Sequence, residues 1–109
     1  MDGTSTTREG YQSPDIVGCQ FSIYPLRQPD LDGSIRGAIQ AAADQGCRVR
    51  VQNLSTLLSG SEDEVLAGLR AAFRAAQERG PMVMVATLVA GMPTDELVGK
   101  IQQELDAGT

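Results

Sequence analysis

From Val17 to Ala90 the chain switches between two hydrophobic periods in the order strand, helix, strand, strand, helix, strand, and that order leaves few folds open. The first run, Val17 to Pro25, has a period of two. Val17, Cys19, Phe21 and Ile23 point one way, and Gly18, Gln20, Ser22 and Tyr24 the other. Pro25 and Pro29 bracket a loop. Asp30 or Asp32 can then cap a helix whose apolar residues Leu31, Ile35, Ala38, Ile39 and Ala42 recur at three and four, with Gly46 to stop it. Arg48 to Gln52 alternates again, with Val49 and Val51 inward, and Ser55 to Ser59 follows closely enough to make a hairpin. Ser61-Glu62-Asp63-Glu64 is a capping box with three acids in its first turn. It opens a helix on Val65, Leu66, Leu69, Ala72, Phe73 and Ala76 that runs to about Arg79, where Gly80-Pro81 ends it. Met82 to Ala90 is a continuous apolar run of strand length, broken by Gly91, Met92 and Pro93. Residues 94–105 read as a terminal helix.

Two right-handed crossovers through helices of this length place both helices on one face of one sheet. The expected fold is therefore α+β: a ferredoxin-like βαββαβ sandwich with an antiparallel sheet in strand order 4-1-3-2. Residues 1–15, rich in Thr, Ser, Gly and Asp without a period, read as a flexible leader. Residues 16–93 form the folded, ligand-binding domain, and residues 94–109 a helical tail. In the last strand Met82, Met84, Ala86 and Leu88 lie on one side and Val83, Val85 and Val89 on the other. One of these apolar rows must face away from the helices, so burial against another subunit is expected through the open sheet face.

Composition removes whole classes of chemistry. The sequence has no His, which excludes histidine-based zinc sites, Ser–His catalysis and histidine proton transfer. Its net charge of −5 argues against nucleic acid, whose phosphates need a basic surface. Cys19 and Cys47 belong to no Cys-x-x-Cys motif, so neither a thiolate metal site nor a disulfide between these two strands is expected. They read as packing thiols. The chain shows neither an apolar stretch of membrane-spanning length nor a signal pattern, so no membrane insertion and a cytoplasmic location are expected.

Among candidate sites, Gln20, Ser22 and Tyr24 stand out. A solvated strand face usually carries Lys or Glu, whereas an amide, a hydroxyl and a phenol can both give and take hydrogen bonds, as a small polar ligand requires. The acids Glu62, Asp63 and Glu64 are explained by the helix dipole and need no catalytic role. Arg48 and Arg50 on an edge strand read as charges that guard against edge pairing, or as contacts to a phosphate. Acylphosphatase-type chemistry would need an anion cradle after the first strand, and the loop from Leu26 to Pro29 has one Arg and no glycine.

Four pieces in register resemble a known family: the run from Cys19 to Leu26, Pro29-Asp30, Ser55-Thr56-Leu57-Leu58-Ser59-Gly60, and the strand ending Ala90-Gly91-Met92-Pro93. Together, over roughly residues 17–93, they are similar to one repeat of the bacterial thiamine- and hydroxymethylpyrimidine-binding proteins. The resemblance implies a ferredoxin-like fold and non-catalytic binding of thiamine or its pyrimidine moiety, in the service of uptake or salvage. It implies no cofactor beyond that bound ligand. Better-known members carry two repeats in tandem, so a single repeat implies a homodimer or tetramer. The resemblance points to Thr56, with Ser55 beside it, as ligand-binding residues. If Leu57 is in the core, Thr56 joins the face of Gln20 and Ser22, but the hairpin register decides this. The competing reading is a regulatory or oligomerisation module of the same fold with a different small ligand.

Overall fold

A computed structural model of the chain describes residues 10–108. Its elements are β1 (Val17–Pro25), α1 (Leu31–Ala43), β2 (Arg48–Val51), β3 (Thr56–Gly60), α2 (Glu62–Arg79), β4 (Met82–Ala90) and α3 (Asp95–Ala107). The four strands form one antiparallel sheet in the order β2-β3-β1-β4, which is the ferredoxin-like arrangement expected from the element order. The dry parity of β1 is as read from its alternation. Cys19, Phe21 and Ile23 are buried with Ala38 of α1 and Val65, Ala72 and Ala76 of α2, while Gln20 and Tyr24 are exposed.

Both helices present small residues to the sheet: Ser34, Ala38 and Ala42 from α1, and Val65, Gly68, Ala72 and Ala76 from α2. Small faces let the helices sit close. A Cβ on Gly68 would lie 2.8 Å from the Cys47 sulfur and 3.2 Å from Leu58 Cδ1. The two expected inward positions Leu66 and Phe73 instead sit on the flank of α2, because two helices do not cover the full width of four strands. Val51 shares the helix-facing parity but remains largely exposed at the tip of edge strand β2.

Asp30 caps α1 by accepting from Gly33 N. Ser61 and Glu64 form the full capping box at α2, with Glu64 N donating to Ser61 Oγ at 3.2 Å and Ser61 N to Glu64 Oε1 at 3.0 Å. Ser61→Ala should lower stability by about 0.5–2 kcal/mol, read as a shifted midpoint at unchanged slope in urea. An unchanged midpoint would show that the box adds nothing. Of the leader expected over residues 1–15, residues 1–9 lie outside the described residues. Residues 10–12 run antiparallel to the segment after β4, with Gln12 N donating to Met92 O and Thr94 N to Gly10 O, each at 2.8 Å. Cys19 and Cys47 are free and buried, and burial pushes both thiols up, which suits packing groups and not nucleophiles.

Candidate functional site

The strands differ in length, and that difference makes the site. β1 has nine residues and β3 five, and their pairing ends at Phe21↔Thr56. β4 accompanies β1 on its other edge as far as Pro25. Ser22, Ile23 and Tyr24 are thus paired on one side only. Because N–H and C=O groups alternate sides along a strand, this stretch leaves backbone donors and acceptors facing the gap where β3 is missing.

The β2–β3 turn fills one wall of that gap. Gln52 N donates to Ser55 O at 2.9 Å, closing the turn, and Ser22 Oγ donates to Leu54 O at 3.0 Å, tying the turn to β1. Ser55 Oγ meets the Gln52 amide oxygen at a long 3.4 Å. On the helix side Ile35 and Ile39 of α1 supply an apolar wall. The resulting cavity is about 180 Å³, with Ser22, Tyr24, Gln52, Asn53, Ser55 and Thr56 among its lining residues.

Thr56 is the most telling member. It is only 5% exposed, and its hydroxyl forms no hydrogen bond among the described residues. That atom is not among the buried side-chain atoms left without a partner, so the hydroxyl opens onto the cavity, where it can give or take a hydrogen bond. The lining contains no carboxylate, guanidinium or amine. It can orient an uncharged, flat, hydrogen-bonding group, but it offers no acid–base pair to transform one.

The structure brings Ser22, Tyr24, Ser55 and Thr56 to one cavity and leaves Gln20 apart. Gln20 lies between Leu57 and Thr87 on the open sheet face, away from the turn. The condition under which Thr56 would join Gln20 is not met. Leu58 is the core residue of β3, so Thr56 shares the helix-facing side with Phe21, and Leu57 faces out beside Gln20. Strand parity did not point to Ile35, Ile39, Gln52 or Asn53. The signal that could have found them is the mismatch between a nine-residue strand and its short hairpin neighbour.

The model of the YKOF-related Family matches residues 16–95. A Bacillus subtilis (strain 168) protein named "Putative HMP/thiamine-binding protein YkoF" is 35% identical over 77 residues, which is 70% of this chain and 38% of that relative. The chain thus spans well under half the length of the curated relative it matches. Among solved structures, a "domain of unknown function DUF77" from Bacillus cereus is similar with a TM-score of 0.67 at 24% identity, covering 83% of this chain and 93% of that one. A "putative thiamine biosynthesis/salvage protein" from Thermotoga maritima is similar with a TM-score of 0.66 at 19% identity, covering 79% and 98%. At these identities the two structures speak for the fold alone.

Proposed function

As a member of the YKOF-related family, this chain is, we propose, a cytoplasmic, non-catalytic binder of the aminopyrimidine of thiamine or of free hydroxymethylpyrimidine, serving vitamin B1 uptake or salvage. The observation that carries this reading is the unpartnered Thr56 hydroxyl, which opens onto an uncharged cavity. An aminopyrimidine has an exocyclic N–H donor and ring-nitrogen acceptors, and a hydroxyl can answer either. The B. subtilis relative's name supports the same ligand class.

The cavity's size fits one ring. Sites for drug-sized ligands run from about 300 to 1,000 Å³, and 180 Å³ accommodates a pyrimidine with the rest of thiamine outside. The thiazolium cation would then lie near the half-exposed Tyr24, whose ring face attracts a cation. A second copy of the chain would cover the apolar half of the open sheet face, giving a homodimer or tetramer.

Calorimetric titration with thiamine, thiamine diphosphate and hydroxymethylpyrimidine tests the reading, with saturable binding and no product expected. Thr56→Val keeps the shape and removes the hydroxyl. It should weaken binding by about 1–3 kcal/mol, roughly 5- to 150-fold, with little change in stability. Unchanged affinity in both Thr56→Val and Ser55→Ala would move the site elsewhere. Absence of binding by the wild type would remove the function and favour a module with another ligand.

A further inference from the structure

A second cavity, of about 190 Å³, lies on the open face of the sheet at the opposite end of β1. Its floor includes Arg48 of β2 and, opposite it, Ser59 of β3, which pairs on its other side with Gly18 of β1. Its far wall is the segment after β4. Met92 folds back over Gly18, where a Cβ would lie 2.7 Å from the Met92 sulfur and would push that side chain aside. Gln12, held by its backbone bond to Met92, supplies a side-chain amide.

Three features distinguish this cavity from an ordinary surface dent. Arg50 is locked by two hydrogen bonds to Asp95, at 3.1 and 2.7 Å. Those bonds, with the Arg50 charge and the nearby Arg48 charge, hold the Asp95 carboxyl below its ordinary range, so it stays ionised and committed to Arg50. Arg48, by contrast, forms no ion pair among the described residues. Finally, the Gln12 Oε1 atom is buried without a hydrogen-bond partner. Buried polar atoms are nearly always paired, and this orphan belongs to a residue that lines the same cavity as the unpaired Arg48 guanidinium. The lining has two guanidiniums against one carboxylate, in a chain whose net charge is −5.

We propose that this cavity binds a compact oxyanion that also carries a hydrogen-bond donor, with Arg48 supplying the charge and the Gln12 amide the second contact. A guanidinium fork fits two oxygens of a phosphate or carboxylate, and a P–OH or a neighbouring hydroxyl would satisfy Gln12 Oε1, closed to solvent as it stands, once that side chain turns into the cavity. The site is independent of the Thr56 cavity, and its occupant differs in charge from the aminopyrimidine proposed there.

Inorganic phosphate at neutral pH is the first probe and lactate the second, each titrated into the full chain by calorimetry and followed by amide shifts in NMR spectra. Saturable binding of either supports the site, with shifts at Gln12 and Ser59. Phosphate alone identifies a phosphate ligand, and lactate alone a hydroxycarboxylate. Arg48 is exposed, so Arg48→Ala should fold normally and weaken binding roughly tenfold or more. Arg48→Lys should recover part of that loss, and Thr56→Val should change nothing. Failure of both probes to saturate overturns the proposal, as does Arg48→Ala binding phosphate like the wild type. Thiamine titrations on the same samples keep the two sites' outcomes separate.

Discussion

Replacing Val85 with lysine should turn an assembled protein into monomers. The register of β4 against β1 places Val83, Val85 and Val89 opposite Tyr24, Ser22 and Gly18, on the face away from both helices. Val85 is 55% exposed, and Val83 and Val89 are also open to solvent in the single chain. β4 is in addition an edge strand, paired with β1 alone, so its outer backbone groups are unpaired too. A nine-residue apolar edge left bare is an aggregation hazard that proteins generally cover. We propose that a second copy covers it. An unpaired charge in such a contact costs several kcal/mol. Folding of the single chain should hardly notice the change, because the lysine there reaches water. Light scattering across micromolar concentrations is the measurement. A monomeric wild type would reject the assembly. A Val85→Lys variant that stays assembled would move the contact elsewhere, for which the exposed Val98, Ile101 and Leu105 of α3 are the next surface.

Leu58→Ala should be the most damaging conservative change to the fold. Leu58 is fully buried, between Cys19 across the strand pair and Gly68 of α2. Truncation there removes buried methyl groups and leaves a void that small neighbours such as Ala72 and Ala76 cannot fill. The expected loss is about 2–5 kcal/mol, a large fraction of the stability of a domain this size. At about 4–8 °C per kcal/mol, the thermal midpoint should fall by roughly 8 to 40 °C. Ligand affinity measured well below that midpoint should change far less, since Thr56 is held by its pairing with Phe21 and Val51. Loss of less than about 1 kcal/mol would mean that the core rearranges to refill the space. A loss of affinity matching that of Thr56→Val would mean that the site depends on core packing more than on the hydroxyl.

The order of elements, the ends of β1 and β4, the capping box at Ser61 and the dry parity of Cys19, Phe21 and Ile23 were all legible in the sequence. Each rests on local rules: a period of two, a period of 3.6, and a side chain satisfying an orphan N–H three residues on. The strand order followed from the handedness of crossovers, a property common to chains. The facing of Thr56 was beyond reach for a definite reason. A period of two gives β3 two faces without saying which meets the helices, and a slip of one residue exchanges them. Only the pairing Cys19↔Leu58 decides that Leu58 is core and that Thr56 is therefore inside. The cavity is equally tertiary. It exists because β3 begins at Thr56 while β1 continues to Pro25, and the turn at Gln52 to Ser55 leans across the gap that remains. The same holds at the other end, where Arg48, Gln12 and Asp95, far apart in the chain, meet on one face of the sheet. Local periodicity places residues on faces. Which faces meet, and what space is left between them, depends on contacts between segments distant in sequence, and those exist only once the sheet has formed.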